Sequence, residues 1–246
     1  MAEHLASIYG TEKDKVNCSF YFKIGACRHG ERCSRKHVKP TFSQTILVPN
    51  IYQNPNFNLS VPMDEVAHQQ HFDDFYEDFF IELAKYGEVE EMNVCDNVGD
   101  HLVGNIYARF RFEEDAGKAV AELNNRFYAG RPLYAELSPV TDFREACCRQ
   151  YENGECTRGG FCNFMHLKMP SRELRKILHQ SQRKSIEIKR QERHLTRELE
   201  RKSHYRGRSR SKERSAREVG RSREKARSRE HGESRHRHSP RANGHA

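Results

Sequence analysis

Between residues 44 and 137 the apolar positions change period, and each change marks an element. The stretch "QTILVPNI" (44–51) reads as a first strand, and a Pro/Asn-rich connection follows it. In "HFDDFYEDFFIELAKYG" Phe72, Phe75, Tyr76, Phe79, Phe80 and Leu83 recur at i, i+3, i+4, i+7, i+8 and i+11. That spacing predicts a helix with one face in a core and Gly87 at its end, leaving Asp73, Asp74, Glu77, Asp78 and Glu82 for its other faces. "EVEEMNVCD" (88–96) and "LVGNIYARFRF" (102–112) predict the second and third strands. A second helix is expected over residues 113–124, and "RPLYAEL" (131–137) is expected to close the sheet. The order is β-α-β-β-α-β, so the fold class is α+β.

On both sides of this module the periodicity gives way to cysteines. Cys18, Cys27, Cys33 and His37 are spaced C-x8-C-x5-C-x3-H, and Cys148, Cys156, Cys162 and His166 are spaced C-x7-C-x5-C-x3-H. Three thiolates and one imidazole make a closed tetrahedral Zn²⁺ set, which replaces the core that so short a segment lacks. Soft sulfur ligands and no open position point to two structural zinc ions rather than a catalytic one. The repeated x5 and x3 spacings argue against scattered buried thiols. Cys147 competes with Cys148 as first ligand of the second set, and His29 is read as a surface or RNA-contact residue.

Composition restricts what the rest can be. Of 246 residues 35% are apolar and 32% charged, too few apolar groups for a large core throughout. No run of about 18 apolar residues is present to span a bilayer. The start, "MAEHLASIYGTEKDK", lacks the basic and apolar regions of a signal peptide, so an intracellular protein without membrane contact is expected. In a reducing compartment eight cysteines favour metal ligation over disulfides.

Charge is segregated along the chain. Residues 1–40 carry eight basic and four acidic groups, residues 41–141 six and seventeen, and residues 171–246 twenty-five and ten. The central module is therefore at −11 while the last segment is at +15, so only the ends suit a polyanion. The domain expectation is a finger at 12–40, a sheet domain at 41–141, a second finger at 142–169, a charged solvated helix at 170–205 and a tail at 206–246. The tail repeats Arg-Ser dipeptides ("RGRSRSKERS", "GRSREKARSRE") with few apolar residues, which predicts disorder.

The cysteine pattern resembles the CCCH zinc-finger family, whose fingers hold single-stranded RNA by stacking bases on aromatics and bonding base edges. The filling residues agree: Phe20, Phe22, Arg28, Ser34 and Arg35 in the first finger, and Arg149, Tyr151, Arg158, Phe161 and Phe164 in the second. Stacking contributes roughly 1–3 kcal/mol per base, and basic groups add salt-dependent attraction. Packing over the zinc shell is the alternative role for any one of these rings.

The central module resembles an RNA-recognition motif through "ILVPNI" and "VGNIYARF". At the three stacking positions it has Leu47, Asn105 and Tyr107, and Val103 stands at the basic start of the longer motif. With two platforms missing and a net charge of −11, RNA binding through this sheet is not expected.

The order finger, RRM-like domain, finger and basic tail resembles the small-subunit family of the U2 snRNP auxiliary factor over residues 1 to 176. The resemblance rests on segments such as "EVEEMNVCDN", "GDHLVGN" and "AELSPVTDFREACCRQYE". It implies that both fingers jointly read the AG dinucleotide at the 3′ splice site of pre-mRNA. It also implies that the central domain is a U2AF homology motif gripping a Trp-containing peptide of the large subunit, to form a heterodimer. The gripping residues would be Glu77, Asp78 and Glu82 on the first helix and Arg126, Phe127 and Tyr128 in a loop. Phe127 stands where the family has Trp, and Tyr128 where the motif has Phe.

The expected function is that of a nuclear, non-catalytic splicing subunit, which also contacts other splicing factors bearing Arg/Ser tails. The alternative is a CCCH-type regulator of mRNA decay. A nuclease or transferase would need an open metal position or a nucleophile-base set, and the sequence offers neither outside the closed ligand sets.

Overall fold

The structure, a computed structural model, describes residues 16–57 and 61–233. The chain divides into two compact units, Met1–Lys184 and Ser185–Ala246. Among the described residues no helix is long and apolar enough to cross a membrane.

The first unit is built on an antiparallel sheet. Its strands are β1 (Thr45–Val48), β2 (Val89–Cys95), β3 (Ile106–Phe110), β6 (Glu136–Leu137) and β7 (Leu167–Lys168), in the order β6-β1-β3-β2-β7. Helix α1 (Ser19–Ile24) precedes the sheet, while α2 (Glu65–Leu83) and α3 (Glu113–Leu123) pack on one of its faces. The β-α-β-β-α-β order expected from the periodicity is present. On that face Ile46, Val48, Met92, Val94, Ile106, Ala108 and Phe110 meet Phe72, Phe75, Tyr76, Phe79, Phe80 and Leu83 of α2 and Ala116, Ala119 and Leu123 of α3.

Several boundaries differ from the sequence expectation. Helix α2 stops at Leu83 rather than Gly87, because Lys85 and Tyr86 turn back with bonds to the carbonyls of Glu82 and Leu83. The third strand starts at Ile106 rather than 102, since the amides of Leu102 and Val103 both bond to the Gly99 carbonyl in a turn. The closing strand over 131–137 is split. Arg131–Pro132 (β5) pairs with Phe127–Tyr128 (β4) around Ala129 and Gly130, both at positive φ, in a hairpin turn that suits strand twist. Only Glu136–Leu137 reaches β1. The fifth strand, β7, comes from the end of the second finger and pairs with Val94 and Cys95.

The opposite face of the sheet is buried as well. Leu47, Cys95 and Tyr107 pack there against Ile24 of α1, Leu102, Val140, Phe143 and Ala146 of the short helix α4 (Phe143–Ala146), and Met165. Strands buried on both faces read as continuous apolar runs, as "TILV" does. Gly25 ends α1 at φ 74°, and a Cβ on it would lie 2.6 Å from Ser138 Oγ and 3.1 Å from the Tyr107 ring. The first finger thus rests directly on the sheet.

Helix α6 runs Arg172–Glu233. The expectation of a solvated helix fails over its start: Leu178 and Gln182 are buried, and Leu174 packs on the core. Leu174 and Leu178, spaced i and i+4, form an apolar pair facing the sheet domain. Gln182 donates to the Val89 carbonyl (2.9 Å) and accepts from the Val89 amide (3.0 Å), like a residue of an adjoining strand. In the second unit the described bonds of the helix are internal, as from Gln191 to Glu187, and Ile188, Leu195, Leu199 and Val219 are exposed. The backbone of the Arg/Ser-rich segment from 206 is helical to Glu233, where the composition predicts disorder. Arg, Lys, Glu and Ala all favour a helix locally. Residues 234–246 lie outside the described residues, as does the start of the first finger.

Candidate functional site

Each finger is made the same way. A short helix follows the first cysteine, α1 after Cys18 and α5 (Arg149–Glu152) after Cys148. A single 3₁₀ turn, Gly30–Arg32 or Gly159–Phe161, then delivers the third cysteine. The ends are joined by equivalent bonds, Cys18 amide to Lys36 carbonyl and Cys148 amide to Met165 carbonyl, both 2.9 Å.

This scaffold gathers Cys18, Cys27, Cys33 and His37 in one cluster and Cys148, Cys156, Cys162 and His166 in another, with all ligand atoms within 4.8 Å. The sulfurs lie 3.7 and 3.8 Å apart in each. A disulfide would bring them to about 2.0 Å, whereas a tetrahedron with Zn–S of about 2.3 Å has edges of about 3.8 Å. The buried Nε2 of His166 has no hydrogen-bond partner, as a ligating nitrogen requires. Each finger therefore holds one structural zinc ion. Cys147 is outside the cluster: it packs under the sheet and bridges to Met165, and burial pushes its thiol up to about 12. Of the two candidates for first ligand of the second site, Cys148 is the one inside the cluster.

Around the metals the structure adds Tyr21 and Asn97, which the spacing did not single out, and gives Tyr151 a second role. Tyr21 stacks on His37 at 4.5 Å and Tyr151 on His166 at 4.0 Å, both nearly parallel. Tyr151, expected among the RNA-facing aromatics, thus has one face taken by the metal shell. Asn97, fully buried in the loop after β2, accepts from the His166 amide (2.8 Å). Its Nδ2 donates to the carbonyls of Cys162 (3.2 Å) and Phe164 (3.0 Å). An asparagine in a polar loop carries no periodic signal, so nothing in the sequence marked it.

The RNA candidates of the two fingers meet. Phe20 and Phe164 are in edge-to-face contact at 6.2 Å, and Arg158 lies over the Phe164 ring at 6.0 Å. Arg158 also donates to Gln150 Oε1 at 2.9 Å and approaches the Cys148 sulfur at 3.8 Å, so it serves the zinc shell too. Phe22 and Phe161 are 63% and 73% exposed, and Arg28, Ser34 and Arg149 are exposed while Arg35 is half-buried. By contrast the sheet's own stacking positions are covered. Leu47 and Tyr107 are buried, and Asn105 accepts from the Asn50 amide (3.0 Å) and donates to the His101 carbonyl (3.0 Å).

On the helical side a cavity of about 610 Å³ is lined by residues that include Asp78, Phe79, Ile81, Glu82, Arg126, Phe127, Tyr128 and Leu133. Five of the six predicted partner residues are there. Glu77 is exposed but outside the lining. Tyr128 packs edge-on against Phe75 and Phe79, and Phe127 stands 71% exposed at the rim. Glu82 is held by Arg126, Lys85 and Tyr86, which leaves Asp78 as the unengaged acid of the pocket among the ion pairs described. Ile81 was legible in principle, being i+3 from Asp78 on one helix face.

Residues 13–39 and 142–168 match the zinc-finger family of C-x8-C-x5-C-x3-H type and similar. The chain is 66% identical over 194 residues to the splicing factor U2af 38 kDa subunit of Drosophila melanogaster, covering 75% of this chain and 74% of that protein. It is 67% identical over 186 residues to the splicing factor U2AF 26 kDa subunit of Rattus norvegicus (73% and 84% covered). Against the splicing factor U2AF 23 kDa subunit of Schizosaccharomyces pombe the identity is 66% over 191 residues (76% and 88% covered). Among solved structures, that of the RNA15 RRM aligns over 40% of this chain and 92% of its own, at 18% identity and a TM-score of 0.27.

Proposed function

We propose, from the premise that the chain belongs to the U2AF small-subunit family of splicing factors, that its two fingers act as one surface for the AG dinucleotide of a 3′ splice site. The observation that carries this reading is the Phe20–Phe164 contact, which makes the exposed rings and basic groups of both fingers continuous. Bases would stack on these aromatics, and Arg28, Arg35, Arg149 and Arg158 would draw in the phosphates. The sheet face is closed to RNA by its own packing. The zinc ions fold the fingers and take no part in chemistry, so the protein acts by binding and not by catalysis.

The same reading gives the cavity beside α2 to a peptide of a large subunit, its aromatic anchor entering between Phe79, Tyr128 and Leu133 with basic neighbours facing Asp78. The relatives' names support this, since each is called a subunit of U2AF. Such a heterodimer works in the nucleus, where pre-mRNA is spliced, and the basic tail is available there to other Arg/Ser-tailed factors.

A competition titration of the full chain tests the RNA part. A short single strand containing UAG should displace a labelled one at least about tenfold better than the same strand with UCC. Because the tail's electrostatic attraction is common to both strands, it cancels in the ratio. Equal displacement would overturn AG recognition.

A further inference from the structure

The loop after β2 touches the second finger at more points than chain connection requires. Asn97 makes three hydrogen bonds to that finger's backbone, all between Cys162 and His166. The Asp96 amide donates to the His166 carbonyl (2.7 Å), and the amides of Val98 and Gly99 both donate to the Gly160 carbonyl (2.8 and 3.2 Å). At Gly160 a Cβ would lie 2.3 Å from Val98 Cγ2, so finger and loop are in contact there with no spare volume. The loop therefore borders the second finger along its length.

We propose that Asn97 is a positioning residue for RNA: it locks the Cys162–His166 segment to the sheet domain so that Phe164 stands against Phe20. The inference rests on the reading of the joint finger surface as the RNA site. Asn97 itself is fully buried and touches no RNA; it acts through Phe164, whose carbonyl it holds. The RRM-like domain, having lost its own stacking face, serves in this arrangement as the template that sets two fingers in register.

Asn97→Ala in the full chain should weaken binding of a UAG-containing strand about tenfold, the lower range for groups that orient metal-site residues. Zinc content should stay at two ions per chain, and binding of a Trp-containing basic peptide in the α2 cavity should not change. Gly160→Ala disturbs the same docking without altering a ligand or Asn97, and should weaken RNA by a comparable factor. Val98→Gly added to Gly160→Ala removes the side-chain atoms at 2.3 and 2.9 Å, leaving only the residue-98 amide nitrogen at 3.1 Å, and should restore most of the affinity. If Asn97→Ala loses a zinc ion, the Gly160→Ala pair and its rescue decide the matter. Phe20→Ala is the control: RNA weakened by Phe20→Ala but not by Asn97→Ala or Gly160→Ala would overturn the positioning role alone. RNA unaffected by Phe20→Ala would overturn the reading beneath it as well. Failure of Val98→Gly to rescue would show a merely structural lesion and contradict the proposal.

Discussion

Phe20 of the first finger and Phe164 of the second meet edge to face at 6.2 Å, although the whole sheet domain separates them in sequence. The contact exists because both fingers are laid on the same face of the sheet, where Ile24 from one and Met165 from the other join a single apolar cluster with Tyr107. Burying that cluster stabilises the docking, and the same burial removes the sheet from the surfaces open to RNA.

The ligand assignment is tested by neighbouring cysteines. Cys148→Ser and Cys162→Ser should each reduce zinc from two ions to one, and Cys33→Ser should do the same in the first finger, since the metal supplies the folding energy of so small a module. Cys147→Ser should leave both ions bound. Metal analysis of the purified variants reads this directly, and loss of zinc on changing Cys147 would reverse the assignment.

Zinc binding should release protons. Without metal a cysteine thiol, with an ordinary pKa of about 8.5, is mostly protonated near neutrality, while zinc takes the thiolate. The sign follows: lowering the pH favours the proton over the metal, so apparent zinc affinity falls from about pH 8 to about pH 6. Calorimetry in buffers of different ionisation enthalpy counts the protons. Zinc binding without proton release would mean that the thiolates are formed before metal arrives.

Restoring a ring to the sheet should not restore RNA binding there. Asn105→Phe leaves the Asn50 amide without its acceptor and must fit a ring into a buried position, at a cost of about 1–3 kcal/mol in stability. Thermal denaturation should show the loss, and RNA titration should show no gain. A gain in affinity would mean that the sheet face opens.

The cavity makes a separate prediction. Arg126→Ala together with Phe127→Ala removes the ion pair to Glu82 and the exposed rim ring, and should cost about 2–4 kcal/mol in binding a Trp-containing large-subunit peptide. Zinc content should be intact. Unchanged calorimetric binding would move the partner site elsewhere.

The two metal sets were legible because ligand spacing is a local property, written within twenty residues each time. Helix α2 was legible because its aromatics repeat with the helical period. What could not be read were relationships across the chain. Cys147 and Cys148 have the same chemistry, and only the packing of Cys147 beneath the sheet separates them. Strand β7 is two residues long and exists because the second finger's end is held beside β2. The covering of Leu47 and Tyr107 was equally invisible, so the missing stacking rings and the charge had to argue against RNA on the sheet. The beginning of α6 carries the helix propensity and acid–base pairs of a solvated helix, yet Leu174, Leu178 and Gln182 dock it on the sheet domain.

The claim that both fingers form one RNA surface is tested most directly by a double-mutant cycle on the affinity of a UAG-containing strand, using Phe20→Ala, Phe164→Ala and the pair. Each single change should cost about 1–3 kcal/mol, as loss of a stacking ring does. Since the rings touch, the pair should cost less than the sum by on the order of 0.5–1.5 kcal/mol. Strict additivity, or a loss confined to one of the two rings, would contradict a joint surface and leave each finger to bind alone.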